Sequence, residues 1–247
     1  MSSGSGDELR LDNPMLVGWE FASEERLETR NAIYRQLIDG VNAEELVFEA
    51  VREVSPSRVL EVGVGAGAMA ERIARELGAS VVGLDTSPRM VNLTRERGLD
   101  AVVADVQSLP FGDGEFDCVV AGWLFYHVPE RDRAISECAR VLRPGRRLVA
   151  ATLADENLAD LWEFLGSPRA RELTFSCVNG AEQLERHFAS VEAREAEGVV
   201  VFPTAETMRT YVAANMTRAH LAASVTRFAE PVRARTHHTV FVADKAA

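Results

Sequence analysis

Apolar positions along the chain change their period several times, and each change marks an element. Between Trp19 and Val54 they recur at helical spacing: Leu27, Ile33, Leu37 and Ile38 in one run, Leu46, Val47, Ala50 and Val51 in the next. Gly40 and Asn42 separate the two helices this predicts, and Ser55-Pro56 closes the second. An alternation follows. Arg58–Val62 reads as a strand, Met69, Ile73 and Leu77 as a helix stripe ended by Gly78, and Ser80–Leu84 as a second strand ending at Asp85. Ser87-Pro88 is an N-cap with proline at the first helical position. Ala101–Ala104, Phe116–Ala121 and Arg147–Thr152 read as three more strands, with a helix over Glu130–Leu142 stopped by Pro144-Gly145. Strands that are apolar almost throughout are buried on both faces, and their regular alternation with helices is the pattern of a doubly wound α/β domain.

The last third is less regular. Short helices are expected over Leu158–Leu165, Ala181–Phe188 and Ala205–Asn215, and strands over Val191–Glu197 and Thr236–Ala243. The two strands are expected to complete one edge of the same sheet. Residues 1–18 read as a flexible N-terminal arm and residues 19–247 as one domain. That domain comprises a helical lid (19–54), a ligand-binding core (55–152) and substrate-side helices with the last strands (153–247).

Of the 247 residues, 47% are apolar, enough for a sizeable core, and no apolar run approaches the roughly 20 residues of a membrane helix. The net charge of −11 disfavours a nucleic-acid partner, since phosphate backbones call for a basic surface. Cys118, Cys138 and Cys177 show no C-x-x-C spacing, and Met1–Arg10 has no apolar signal core, so a cytoplasmic location is expected. His237 and His238 are adjacent on a predicted strand and point to opposite faces, so they cannot share an ion; no metal site is expected.

The candidate chemistry begins straight after the first core strand, in Glu61-Val-Gly63-Val-Gly65-Ala-Gly67. Glycines at this spacing let the chain turn sharply and lay bare backbone against a ligand, with a helix N-terminus aimed at the same space. The loop also fits a dinucleotide variant, Gly65-x-Gly67-x-x-Ala70, so a nicotinamide-dependent oxidoreductase is an alternative. Two acids follow at successive strand ends. Asp85 can accept from both hydroxyls of a ribose, and Asp105 can accept from an adenine amino group while the Val106 N–H reaches a ring nitrogen. Glu61 is placed to anchor a cationic amino group. Together the three acids converge on one crevice at the carboxyl edge of the sheet.

As a set, EVGVGAG, GLDTSPRM, ADVQSLPF and HVPERDRAISECARVLRPGRRLV resemble the class I S-adenosylmethionine (SAM)-dependent methyltransferases. The likeness is to the small-molecule "type 11" group, which includes ubiquinone and menaquinone enzymes, and it runs from Arg58 to about Thr152. It implies a Rossmann-like, doubly wound α/β fold with a seven-stranded, mostly parallel sheet whose last strand is antiparallel, plus an N-terminal helical lid and an insertion after strand 5.

The resemblance also implies roles. Gly63, Gly65 and Gly67 would pass under the methionine and ribose of SAM, Glu61 would hold water or the amino group, and Asp85 would bind the ribose. Thr86 and Met90 would line the adenine pocket, Asp105 and Val106 would read the adenine edge, and the Ala121 carbonyl would receive the amino group. Tyr34 would close over the cofactor as part of the lid. The implied reaction is methyl transfer to a small-molecule oxygen, nitrogen or carbon by in-line displacement at the sulfonium methyl. If the acceptor is a hydroxyl, His127 is the candidate base, with a structural hydrogen bond as the competing role.

No Asn/Asp-Pro-Pro-Tyr follows the fourth strand, which argues against planar-amine substrates in nucleic acid or protein. Trp19, Trp123, Phe125, Trp162, Phe164, Phe175, Phe202, Met208 and Tyr211 are candidates for core or pocket, and Arg30 and Arg169 for pairing an acidic group. The other alternative is a protein that binds SAM without catalysis, because the family has no obligatory catalytic side chain. The sequence leaves the acceptor and the oligomeric state open.

Overall fold

The computed structural model of the chain describes residues 11–13, 24–35, 37–167, 173–215 and 217–247. The candidates Trp19 and Arg169, the beginning of the expected lid, and all of the expected arm except Leu11–Asn13 lie outside them. In chain order the elements are α1 (Glu24–Tyr34), β1 (Asp39–Gly40), α2 (Ala43–Arg52), β2 (Arg58–Val62), α3 (Ala68–Leu77), β3 (Ser80–Asp85), α4 (Pro88–Glu96) and β4 (Asp100–Val103). They continue with β5 (Phe116–Gly122), a 3₁₀ turn (Phe125–His127), α5 (Arg131–Val141), β6 (Leu142–Leu153), α6 (Ala159–Phe164), α7 (Gly180–Glu185) and β7 (Ser190–Phe202). The last are α8 (Ala205–Ala213), a second 3₁₀ turn (Ala219–Ser224) and β8 (Val232–Asp244).

The strands form one sheet in the order β1-β7-β8-β6-β5-β2-β3-β4. β6, β5, β2, β3 and β4 are parallel, and β8 runs antiparallel to both β6 and β7. This is the doubly wound, mostly parallel arrangement with an antiparallel last strand that the sequence predicts. Among the described residues the sheet has eight strands rather than seven. The extra one is the two-residue β1, which pairs with β7 through Asp39 and Gly40. Gly40, expected only to break a helix, carries φ +99°, and a Cβ there would lie 2.2 Å from the Glu197 carbonyl oxygen. Close backbone approach, not helix termination alone, therefore requires glycine at this position.

The central strands are apolar because both faces are covered. Val59, Leu60 and Val62 of β2 and Cys118, Val119, Val120 and Ala121 of β5 are fully buried. One core layer joins β2 and β5 to α5 through Ile135, Cys138 and Val141. The other joins them to α2 and α3 through Val47, Val51 and Ile73. A third cluster packs α6 and α8 on the ends of β7 and β8 through Trp162, Met208, Tyr211 and Phe202.

The caps are local. The Asn42 side chain accepts from the Glu44 N–H at the start of α2, and Ser87 accepts from the Met90 N–H at the start of α4, where Pro88 has no N–H to satisfy. Leu11 and Asp12, within the stretch expected to be a flexible arm, are held in place. The Leu11 carbonyl accepts from His127, and Asp12 is buried and pairs with Arg131 at 3.3 Å. Apolar packing of Leu11 on the core adds to these two bonds.

β3 and β5 lie on opposite sides of β2, so the chain winds outward from β2 through β3 and β4 and then crosses back to β5 and β6. A crevice opens at the carboxyl ends of strands at such a reversal, and this is where the loops after β2, β3, β4 and β5 meet.

Candidate active site

A cavity of about 1110 Å³ occupies this crevice. Its wall includes Glu61, Gly63, Gly65, Asp85, Thr86, Asp105, Val106, Tyr34 and His127, so most of the residues singled out from sequence are brought together. Gly67, Met90 and Ala121 are not part of the wall.

The glycine loop is fixed by side chains from the neighbouring elements. Asp85 Oδ2 accepts from the Gly65 N–H at 3.1 Å, and its Oδ1 accepts from the Ser87 N–H at 2.9 Å. The buried Thr94 hydroxyl donates to the Gly65 carbonyl at 3.1 Å, and Arg97 Nε donates to the Ala66 carbonyl at 2.6 Å. Thr94 and Arg97 carry no motif signal, because their partners lie 29 and 31 residues away.

The three glycines are not equivalent. Among the described residues, a Cβ at Gly65 (φ +53°) would meet only Leu27 Cδ2, at an ordinary contact distance of 3.5 Å, so this residue lines the cavity without crowding. At Gly63 (φ +68°) a Cβ would approach Leu124 Cδ1 to 2.8 Å, and at Gly67 (φ +82°) Thr94 Oγ1 to 2.9 Å. Gly67 thus serves helix-to-helix packing at the N-cap of α3. Met90 is fully buried beneath α4, and Ala121 is fully buried in β5, while its neighbours Val120 and Gly122 reach the cavity wall. Asp105 lies in the exposed turn two residues beyond β4, where it accepts from the Gln107 N–H and side-chain amide, both at 2.8 Å.

Glu61 is the electrostatic anomaly. It is buried, and its Oε2 has no hydrogen-bond partner among the described residues. Burial pushes its carboxyl up to about 8, against a hydrogen bond from the Ala70 N–H, and the neighbouring Asp85 charge adds to the rise. Burial also raises Asp85, opposed by its backbone N–H donors. Asp117, at the opposite end of the sheet, shows the structural alternative. Burial would raise it too, but the N–H groups of Ser57 and Arg58 and the guanidinium of Arg143 hold it below the usual carboxylate range. A buried carboxylate oxygen without a donor costs free energy unless a ligand supplies one.

His127 lies in the 3₁₀ turn after β5, with Nδ1 donating to the Leu11 carbonyl at 2.9 Å. A carbonyl cannot donate, so Nδ1 carries the hydrogen and Nε2 the lone pair of the neutral ring. Among the aromatic and apolar candidates, Trp123, Trp162 and Tyr211 line the cavity, as does Arg30. Phe125, Phe175, Phe202 and Met208 are core, and Phe164 is 47% exposed. Trp123 has φ +54°, a strained backbone for a bulky residue.

His237 and His238 do point to opposite faces. His237 bonds Glu156 and Glu195, each at 2.8 Å, whereas His238 is buried in the cavity wall and accepts at Nδ1 from the Trp123 indole N–H at 3.0 Å. Cys118 and Cys138 are buried in the core, and burial raises both thiols, Cys118 to about 12. No helix among the described residues is long and apolar enough to cross a membrane.

Residues 60–150 match the family described as "Methyltransferase domain", type 11. Methyltransferase GfsG of Streptomyces halstedii is 36% identical over 129 residues, covering 49% of this chain and 46% of that protein. Demethylmenaquinone methyltransferase of Thermotoga maritima is 34% identical over 114 residues, covering 45% of this chain and 50% of that protein. The chain therefore spans about half the length of the curated relatives it matches. Among solved structures, the YcgJ protein of Bacillus subtilis superposes with a TM-score of 0.59 at 16% identity, covering 82% of this chain and 99% of that one. The glycine loop, the acids at the ends of β3 and β4, and the strand leading to His127 all fall inside the stretch, residues 60–150, that is similar to the type 11 methyltransferase domain, and the chain has the Rossmann-like fold of its solved neighbours.

Proposed function

We propose that this chain is a SAM-dependent methyltransferase acting on a small-molecule acceptor, with residues 19–247 as one domain and a cytoplasmic location. The observation that carries the reading is that a buried, unpartnered Glu61 Oε2 and the uncrowded Gly65 share one cavity wall. That pair suits a ligand with a cationic amino group on a flexible chain. Asp85 adds an acceptor for ribose hydroxyls, and Thr86, Asp105 and Val106 add an edge for adenine. The volume of about 1110 Å³ leaves room for an acceptor beside an adenosyl ligand.

SAM supplies an activated methyl group, so the organic chemistry is the cofactor's own. The protein's part is to align the acceptor, exclude water and manage one proton. For a hydroxyl acceptor, His127 Nε2 takes that proton, while the bond from Nδ1 to the Leu11 carbonyl keeps the ring in the accepting tautomer. For a carbon or neutral amine acceptor, His127 shapes the wall instead. Tyr34 and the helix it ends form a side of the cavity, with Leu27 of that helix reaching Gly65. The net charge of −11 further supports a small-molecule acceptor over nucleic acid.

Calorimetric titration with S-adenosylhomocysteine and, separately, with NAD tests the reading. Binding of S-adenosylhomocysteine alone, together with transfer of labelled methyl from SAM to at least one member of an acceptor library, is the expected result. Preference for NAD would overturn it in favour of an oxidoreductase. S-adenosylhomocysteine binding without turnover on any acceptor would reduce the chain to a binding protein.

A further inference from the structure

On the wall away from the glycine loop, the cavity carries a second buried polar atom without a partner. His238 is 5% exposed, lies on β8, and its Nε2 makes no hydrogen bond among the described residues. Its other ring nitrogen settles what Nε2 is. An indole N–H can only donate, so the 3.0 Å bond from Trp123 Nε1 makes Nδ1 the acceptor and puts the hydrogen of the neutral ring on Nε2. The chain builds this arrangement at a cost: Trp123 leaves β5 with φ +54°, a backbone region that bulky residues avoid. Tyr34 stands edge-on to the imidazole with centroids 4.9 Å apart, and Trp123 does the same at 5.7 Å. Burial, reinforced by the neighbouring His237, pushes the His238 ring down to about 3, so it stays neutral. A ring that accepts from tryptophan at one nitrogen and stays neutral is a fixed donor, not a base.

We propose that the His238 Nε2–H is the donor that selects and orients the methyl acceptor, by hydrogen bonding to an oxygen carried on an aromatic or apolar frame. The frame is implied by the surroundings, since Trp123, Leu124, Trp162 and Tyr211 line the same cavity. A site with a buried donor rejects an isostere that lacks the matching oxygen, because the donor is then left unpaired. His238 is a positioning and specificity residue here. This proposal rests on the methyltransferase reading, which has its own separate readout in S-adenosylhomocysteine affinity.

The test uses the full chain saturated with S-adenosylhomocysteine and two matched probes, tetralin and its ketone 1-tetralone. The wild type is expected to bind the ketone at least about tenfold more tightly, which corresponds to about 1.4 kcal/mol. His238→Phe keeps a ring of similar size and removes the donor, so it should abolish that preference while leaving S-adenosylhomocysteine affinity unchanged. His238→Gln, which keeps an N–H at similar reach, should recover part of it. Because a β8 variant can fail to fold, the wild type is also labelled with ¹⁵N-histidine. The ketone, and not the hydrocarbon, should shift the Nε2 signal of the histidine whose Nδ1 is the unprotonated nitrogen. Equal binding of the two probes by the wild type, a preference that survives in His238→Phe, or an unmoved Nε2 signal would each overturn the proposal. Failure of S-adenosylhomocysteine to bind would instead overturn the functional reading beneath it.

Discussion

The two ends of the cavity are built by different means. The end formed by the loops after β2, β3 and β4 is mostly backbone, tuned by acids. Gly65 offers bare main chain, Asp85 ties that main chain to the end of β3, and Glu61 waits behind it without a donor. The opposite end is made of large side chains drawn from remote segments. Tyr34 comes from α1, Trp123 from the end of β5, Trp162 from α6, Tyr211 from α8 and His238 from β8. Under the proposed function, the contrast separates a cofactor end from an acceptor end. A loop at a strand end can be specified within seven residues, whereas the Trp123–His238 bond spans 115. The cavity also holds two histidines of opposite tautomer, one in the turn after β5 and one on β8. The neutral His127 ring carries its hydrogen at Nδ1, bonded to Leu11, and His238 carries its own at Nε2, with Nδ1 accepting from Trp123.

Four experiments would break or sharpen that division. The largest effect is expected from His127→Ala. If the acceptor is a hydroxyl, steady-state turnover should fall by about 10²–10⁴-fold, the usual range for a lost general base, with unchanged S-adenosylhomocysteine affinity. Wild-type rates would leave His127 only the anchoring of Leu11.

Asp85→Ala should cost about a hundredfold in S-adenosylhomocysteine affinity by calorimetry. It removes the charge-assisted acceptors proposed for the ribose together with the anchor of Gly65, each worth about 1.5–3 kcal/mol. Probe binding at the far end should be unchanged, and a parallel loss there would show that the two ends are not separable.

The third experiment splits one motif in two. Gly67→Ala drives a Cβ against Thr94 at φ +82°, so thermal or denaturant unfolding should show a loss of about 2 kcal/mol, roughly 30-fold in the folding equilibrium. Gly65→Ala meets no such contact, so its main effect should be on ligand affinity, with a smaller stability loss from its positive φ. Reversed readouts would contradict the assignment of Gly65 to the ligand and Gly67 to packing.

The fourth effect, smallest per step, is the pH dependence of Glu61. Its carboxyl is raised from 4.5 to about 8 in the folded protein without ligand. Through that window the folded chain keeps a proton that the unfolded chain has released, so its stability falls as pH rises. Binding of a cationic amino group favours the ionised carboxylate and expels the proton. S-adenosylhomocysteine affinity should therefore rise with pH up to about 8, by at most about tenfold per unit, with proton release measurable in buffers of different ionisation enthalpy. Glu61→Gln should flatten both trends.

How far the sequence could be read follows the same division. The strand RVLEV, the glycine loop and the acids after β3 and β4 are short and local, and their period and spacing place them without tertiary knowledge. The same reading missed the packing role of Gly67, because Thr94 approaches from the next helix. It treated Met90 and Ala121 as ligand contacts, though burial under α4 and within β5 keeps both off the cavity wall. It also missed β1, since two residues carry no periodicity and pair with β7 about 160 positions later. His238 was legible only as facing away from His237; that it receives the Trp123 indole depends on the pairing of β8 beside β6 and on a strained turn after β5. Aromatic composition pointed to a pocket but could not divide Trp123, Trp162 and Tyr211 from Phe125, Phe175 and Phe202, which differ only in where the fold buries them.

The most direct test is a crystal structure of the full chain grown with S-adenosylhomocysteine. The adenosyl group is expected between Asp85 and Asp105, the amino group against Glu61 Oε2, and the sulfur facing the space bounded by His127, Trp123 and His238. An adenosyl ligand bound elsewhere, or a Glu61 Oε2 still without a partner at full occupancy, would contradict the account.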